Sequence, residues 1–327
     1  RPHWNPDLSF AHLQPLIDRY ELVPSIGAAQ HFCQDLQLGL ELGWGGLLKK
    51  IAYHRAENPQ RGEFYDGLEA CARGIQGWIA RTAAAAKDMA QQAIDEAIRQ
   101  NLEELATINA RLTSEPPATF REACQWILWY QIGARMYDGS GSLGRLDALL
   151  QPFYDADITA GRLTDDEAVF HIACLLLRDT GYLQLGGPDA QGHDVTSRVS
   201  YLVLEAAHAL RIPANVGVSV GQSTDPGLLR RGLEIMFEDK TGIPKFLGVD
   251  QTIAGFAKNG YPVELARQRA YSGCHWSALP GREYTLNDCV KINFAAVFDV
   301  TLRELLADGT SSRTCAELWQ RFEYHLA

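Results

Sequence analysis

The segment 272–276, Ser-Gly-Cys-His-Trp, carries the residue types with the greatest chemical potential in this chain. A glycine beside a cysteine on a loop lets the backbone bring the sulfur of Cys274 close to a ligand. His275 follows directly and can exchange a proton near neutral pH. The loop over 277–288 adds two carboxylates, Glu283 and Asp288, as further acid–base candidates, although Asp288 is also placed to cap the helix that follows.

The alternative interpretation of Cys274 is a buried structural thiol, which is the common state of a cysteine in a reducing compartment. The seven cysteines are widely spaced and include no CxxC pair, so they indicate neither a disulfide framework nor an iron–sulfur or zinc site. A zinc site on Cys274 and His275 lacks two further ligands at suitable spacing. A cysteine hydrolase is disfavoured because adjacent side chains on a loop seldom reach the geometry of a nucleophile and its base.

Most of the elements that must position this segment are predicted to be helices. The chain is predicted to be mainly helical up to residue 137, and a T-x-x-E capping box at Thr164 predicts the start of another helix. The predicted helices cover 84–112, 119–136, 146–158, 168–177, 195–210, 226–238, 251–258, 262–271 and 291–306. An apolar stripe in the second of these is interpreted as core packing: Trp126, Trp129 and Tyr130.

Strand-like runs are few, and the two clearest cover 216–220 and 245–249. Each is followed by a helical pattern, and strands that alternate with helices predict an α/β barrel or sheet. A glycine-rich loop over 185–192 separates two helical segments. Gln184 and His193 lie at this loop, and both are predicted to line a pocket.

Composition excludes several classes of protein. Apolar residues make up 46% of the 327 residues, enough for a sizeable core, and the formal net charge is −10. A negative chain lacks the basic footprint that nucleic-acid binding needs. No apolar run is long enough to span a bilayer, and no signal peptide is visible. A protein without nucleic-acid or membrane partners is therefore expected, and the widely spaced cysteines fit a reducing cytoplasm.

Five short blocks in chain order resemble the motifs of glycyl radical enzymes of the pyruvate formate-lyase type. The block at the cysteine, Tyr271-Ser-Gly-Cys274, resembles the cysteine-loop motif of that family. The other four are His3 with Pro6 and Asp7; Ser142 to Asp147 with Pro152 and Tyr154 to Asp157; Gly187 with Asp194 to Thr196, Ser200 to Leu202 and Leu204 to Ala206; and Gly242 to Asp250. The five blocks occur in the same order as in the family and together extend over nearly the whole chain.

This resemblance implies a helix-rich α/β fold that is part of a ten-stranded barrel, built from two half-barrels wrapped by helices. Residues 1–137 would form the mainly helical part, and residues 138–327 the half-barrel part with its cysteine loop at 272–288. The resemblance also implies a catalytic glycine outside this chain, which a radical-SAM activating enzyme converts to a glycyl radical. That radical would take hydrogen from Cys274, and the thiyl radical would abstract hydrogen from a small organic substrate. Anaerobic metabolism and a homodimeric complete enzyme are implied as well.

Two departures from the family pattern shape these expectations. The chain ends at Ala327 before any R-V-x-G-Y-like glycine loop, so it is interpreted as an incomplete domain that is inactive alone. Trp276 stands where the dehydratases of the family place glutamate, and tryptophan cannot accept a proton. The base is therefore predicted at His275 or Glu283, while Trp276 and Asp288 are predicted to contact substrate.

The bond that is broken stays open at this point. Carbon–carbon cleavage, decarboxylation and an atypical carbon–oxygen elimination are all compatible with these residues. One alternative is a diol-dehydratase type of enzyme with a relocated base. Another is a non-catalytic remnant that acts as an interaction protein.

Overall fold

The computed structural model describes residues 11–24, 32–136, 141–273, 276–283 and 290–327. Its helices are α1 Gln14–Tyr20, α2 Leu36–Glu57, α3 Gly62–Gln92, α4 Glu96–Leu112, α5 Phe120–Arg135, α6 Leu146–Thr159, α7 Asp165–Arg178, α8 Arg198–Leu210, α9 Pro226–Asp239, α10 Val249–Lys258, α11 Val263–Arg267, α12 Phe294–Ala307 and α13 Cys315–Leu326. Its strands are β1 Val23–Pro24, β2 Leu183–Leu185, β3 Val216–Val220, β4 Lys245–Gly248, β5 Ala270–Tyr271, β6 Ser277–Ala278 and β7 Val290–Lys291.

The chain divides into two compact units. One covers Gln30–Thr285, and the other combines Arg1–Ala29 with Leu286–Ala327. In the smaller unit, β1 pairs antiparallel with β7, and the side chain of His325 contacts Glu304 and Tyr20. The larger unit contains the sheet and the cysteine segment. The predicted boundary between residues 137 and 138 falls within this larger unit.

A parallel sheet runs through the larger unit. β3 pairs with β2 on one side and with β4 on the other, both in parallel. Single parallel bridges join Leu183 to Gly144, and Ser142 to Cys33. Five chain segments thus lie side by side in one direction, which confirms the predicted helix-rich α/β class. β3 and β4 match the two predicted strands. β2 was not predicted, because it runs directly into a glycine-rich loop.

The core lies between this sheet and the helices that cover it. Leu183 and Val216 of the sheet are fully buried, as is Trp126 of α5. The Trp126 ring stacks on Tyr130 and on Trp44, with ring centroids 5.7 and 5.4 Å apart. These contacts confirm that the aromatic stripe of α5 is core, because burial of large rings is a dominant contribution to packing.

Helix boundaries agree with the sequence where caps mark them and differ where they do not. The capping box of Thr164 and Glu167 is present at the start of α7, as predicted. The helix predicted over 84–112 is instead two helices, α3 and α4. The backbone becomes extended at Ala93, and Asp95 then caps α4 by accepting a hydrogen bond from the amide of Ile98. Neither proline nor glycine marks this break, so apolar periodicity alone runs through it.

Arg111 and Glu122 form an ion pair where α4 meets α5. Nε of Arg111 donates to Oε1 of Glu122 over 2.8 Å, and the amide of Ala118 donates to Oε2 over 2.7 Å. Burial by itself would raise the pKa of Glu122, but these donors together lower it below the usual 4.5. The carboxylate is therefore the form that the fold stabilises.

Replacing Glu122 with glutamine is expected to lower the free energy of unfolding by about 2 kcal/mol at neutral pH, because Arg111 loses its anion. Since the pKa of Glu122 is lowered on folding, its contribution is present above pH 4.5 and is lost as the pH falls through the folded-state value. Urea unfolding at a series of pH values should show the two proteins converge in acid. The exposed Glu57→Gln serves as control, and a difference independent of pH would contradict the prediction.

Candidate active site

A β-hairpin bounds the cysteine segment. β5 pairs antiparallel with β6, with Tyr271 opposite Ser277, and the amide of Ser272 donates to the carbonyl of Trp276 over 2.9 Å. The helix predicted over 262–271 is therefore wrong in its second half: α11 ends at Arg267, because Ala270 and Tyr271 form strand hydrogen bonds instead.

In the sequence, Cys274 and His275 lie between the two strands of this hairpin. Both residues are outside the described part of the chain, as is Asp288. The residues that lead to Cys274 are described, and they are buried: Tyr271, Ser272 and Gly273. The chain therefore approaches Cys274 through the interior of the larger unit.

Side chains from two neighbouring segments of the sheet hold the backbone of Tyr271. The amide of Tyr271 donates to Oε1 of Gln184 over 2.9 Å, and its carbonyl accepts from Oγ of Ser142 over 2.6 Å. Gln184 lies in β2 and is only 4% exposed. Hydrogen bonds in such a dry environment are costly to lose, because the unpaired partner stays buried. These two contacts thus define where the hairpin lies against the sheet.

The glycine-rich loop that follows β2 is tightly packed next to Gln184. Gly186 and Gly187 have φ values of +62° and +92°, which favour glycine. A Cβ atom on Gly187 would lie 2.8 Å from Oγ of Ser219. The buried carboxyl of Asp147 accepts from the amide of Gly186 over 2.7 Å and from Oγ of Ser200 over 2.6 Å. Burial raises the pKa of Asp147, and these hydrogen bonds oppose the rise.

A cavity of about 280 Å³ lies beside the hairpin, and we call it the Trp276 cavity. Its lining combines an apolar wall from β4 and α10 with the hairpin, Gln184 and three arginines. The described lining residues are Arg145, Gln184, Pro188, Phe246, Leu247, Gly248, Val249, Thr252, Ile253, Ala266, Arg267, Arg269, Tyr271, Trp276 and Ser277. A mostly apolar cavity with a few convergent polar groups is typical of a small-molecule site.

Arg269 anchors the second strand of the hairpin. Its guanidinium lies 3.6 Å from the ring centroid of Phe256, and Nη2 donates to the carbonyl of Ser277 over 2.8 Å. The same guanidinium pairs with Glu283 at 2.5 Å. Since Glu283 also accepts from the amide of Leu279 over 3.2 Å, its carboxylate holds the turn that follows the hairpin.

The structure brings some of the sequence-predicted residues together and leaves others apart. Gln184 and Trp276 both line the Trp276 cavity, whereas Glu283 and His193 are not among its described lining residues. The side chain of His193 is 80% exposed and lies 3.3 Å from Asp189. The roles proposed from the sequence for these residues stay predictions.

Several residues of this site carried no individual signal in the sequence. Ser142 and Arg145 stood within a motif block but had no assigned role, and Arg267 and Arg269 belonged to a presumed helix. Only the block from Ser142 to Asp147 could have drawn attention to any of them. Their meeting depends on how distant segments cross in the fold.

The described part of the chain shows no cluster of three or more histidine, cysteine, aspartate or glutamate side chains that could hold a metal ion. None of the helices in those same ranges is long and apolar enough to cross a bilayer.

Comparison with known proteins assigns the chain to a family. Residues 20–318 match the family described as pyruvate formate lyase-like. The chain belongs to that family. It is 24% identical to isethionate sulfite-lyase from Nitratidesulfovibrio vulgaris, over 90% of this chain and 40% of that relative. It is 25% identical to the 4-hydroxyphenylacetate decarboxylase glycyl radical subunit from Clostridium scatologenes, over 74% of this chain and 31% of that relative.

A solved structure of the pyruvate formate lyase-like fold agrees. The structure that describes 1,2-propanediol dehydration in Roseburia inulinivorans superimposes with a TM-score of 0.82 at 19% identity, over 97% of this chain and 45% of that one. The chain thus spans less than half the length of these relatives. Family membership and the helix-rich α/β fold are shown, and the chain's relatives are glycyl radical lyases and dehydratases.

Proposed function

We propose that this chain is part of a glycyl radical lyase in which the sulfur of Cys274 abstracts hydrogen from a small organic substrate. One observation carries the proposal: the hairpin that flanks Cys274 is bonded through buried side chains to the parallel sheet, and it forms one wall of the Trp276 cavity. A buried approach suits radical chemistry because exclusion of water and other reactants prevents side reactions.

The residues that lead to Cys274 fit the glycyl radical that membership of the family implies. A glycyl radical, contributed from outside this chain, would supply removal of one hydrogen atom from a thiol. Cys274 is the thiol that the family motif designates, and the buried run from Tyr271 to Gly273 leads to it. This homolytic step needs no lowered thiol pKa, in contrast to the thiolate chemistry of hydrolases.

Cys274 then exchanges hydrogen with substrate. The S–H bond forms as one substrate C–H bond breaks, and the substrate carbon keeps the unpaired electron. Because the two bonds are of comparable strength, the exchange is nearly reversible. After the neighbouring bond of the substrate breaks, the product radical takes the hydrogen atom back from sulfur, so no hydrogen is gained or lost by the protein.

A proton must also move if the bond that breaks releases an anion or water. Trp276 cannot accept it, and the described lining of the Trp276 cavity contains no carboxylate. We assign this role first to His275, and second to Glu283 if its pair with Arg269 opens. Decarboxylation, carbon–carbon cleavage and atypical carbon–oxygen elimination fit such a site better than a dehydration that needs a glutamate at position 276.

The complete protein would act as a homodimer in anaerobic cytoplasmic metabolism, after a radical-SAM enzyme activates it. Activation of the complete protein without oxygen should produce an organic radical signal in electron paramagnetic resonance (EPR), together with cleavage of a small substrate. Brief exposure to air should abolish both. Turnover that persists in air and is stopped by iodoacetamide would instead identify a cysteine hydrolase.

A further inference from the structure

Arg269 joins the two strands of the hairpin at its open end. The residue directly precedes β5, and its side chain crosses to β6, where Nη2 donates to the carbonyl of Ser277 over 2.8 Å and Nε to Oγ of the same residue over 3.3 Å. Nη1 donates to Oε1 of Glu283 over 2.9 Å, in the turn that follows β6. Cys274 belongs to the segment that connects the two strands, so a shift of Arg269 changes the support of that segment.

Two aromatic rings in turn hold Arg269. Its Cζ lies 3.6 Å from the ring centroid of Phe256 and 5.2 Å from that of Tyr261. The two rings contact each other edge to face, with centroids 5.3 Å apart, and the amide of Tyr261 donates to the carbonyl of Phe256 over 3.1 Å. Arg269 is only 8% exposed. Because a cation is attracted more strongly to a ring face when water is excluded, Phe256 restrains the guanidinium.

Phe256 belongs to α10, which also forms part of the wall of the Trp276 cavity. Thr252 and Ile253 of this helix line the cavity, whereas Phe256 is not among its described lining residues. Positions 253 and 256 are three residues apart and therefore lie on the same face of the helix. No residue of α10 is fully buried. One face of a lightly packed helix thus contacts both the cavity and the guanidinium that holds the hairpin.

We propose that Phe256 is a positioning residue for Cys274: its ring fixes Arg269, and Arg269 fixes β6 and with it the segment that carries the thiol. The inference rests on the proposed function for the role of Cys274. Gln184 restrains the first strand of the hairpin through Tyr271, and Phe256 supplies the corresponding restraint on the second. An aromatic ring is required, because an aliphatic side chain presents no negative face to the cation.

The test measures how fast iodoacetamide alkylates Cys274 in the complete protein before activation, with each cysteine followed by peptide mass spectrometry. Phe256→Leu is expected to raise this rate about tenfold, the size of a desolvated cation–π contact, because the hairpin opens more often. Phe256→Tyr keeps the ring and should stay within about twofold of the native rate. After activation, Phe256→Leu should lower kcat per radical about tenfold and change KM less than about twofold, since the cavity lining is unaltered.

Two controls separate positioning from general destabilisation. Cys124 of α5 is 5% exposed, and its alkylation should not change. Phe237→Leu removes a ring at a 74% exposed position of α9 and should leave Cys274 reactivity and turnover unchanged.

Three outcomes would each overturn the inference: native reactivity of Cys274 in Phe256→Leu, equal reactivity in Phe256→Leu and Phe256→Tyr, or a parallel rise at Cys124. Alkylation requires no radical. Reactivity of Cys274 that depends on the ring would therefore stand even if radical turnover were never found. Radical turnover by Phe256→Leu at the native rate would count against Phe256 alone.

Discussion

Replacing Cys274 with alanine is expected to abolish turnover of the complete, activated protein, by at least about a thousandfold, while the glycyl radical remains detectable. The thiol is the proposed hydrogen carrier between the glycine and the substrate. The side chain of alanine has no bond to hydrogen that is weak enough for this exchange. Formation of the glycyl radical depends on the activating enzyme and should be unaffected. Turnover measured with stoichiometric EPR separates the two steps.

Matched cysteine variants make this result specific. Cys71→Ala, at an exposed position of α3, should retain full turnover and full radical yield. Cys274→Ser should be as inactive as Cys274→Ala, because an O–H bond is far stronger than an S–H bond. A hydrolase would behave differently, since a serine retains some nucleophilicity. Normal turnover by Cys274→Ala would end the radical proposal.

Replacing Gln184 with leucine is expected to reduce the kcat of the activated protein about 100-fold, although Gln184 need not contact substrate. Leucine has a similar volume but cannot accept the hydrogen bond from the amide of Tyr271, which measures 2.9 Å in the native site. The buried amide then has no acceptor, and the hairpin that flanks Cys274 is free to shift. Misplacement of a reacting group by about 1 Å is enough for a loss of this size.

Two further variants distinguish positioning from general destabilisation. Gln184→Glu keeps an acceptor oxygen and should recover part of kcat, whereas Gln251→Leu on the exposed face of α10 should have no effect. The radical yield after activation should stay constant across the series. If Gln184→Leu lowers stability but leaves kcat per radical unchanged, Gln184 is a structural residue without influence on the chemistry.

The sequence by itself was sufficient for the family, the helix-rich α/β class and most helices. Apolar periodicity, capping residues and short motifs are local properties, and each can be recognised without knowledge of the rest of the fold. β3, β4 and the start of α7 were found in this way. The break between α3 and α4 was not found, because neither proline nor glycine marks it. The short strands β2 and β5 were not found either, because their three and two residues are too few to show an alternating pattern.

Only the tertiary structure decided which polar side chains meet at the cysteine hairpin. Gln184 and Tyr271 are 87 positions apart, and Ser142 and Tyr271 are 129 apart. Glu283, a plausible base in the sequence, is paired with Arg269, and His193 extends into solvent. A side chain's residue type specifies what it can donate or accept, but the path of the backbone decides whether it is buried and which partner it reaches.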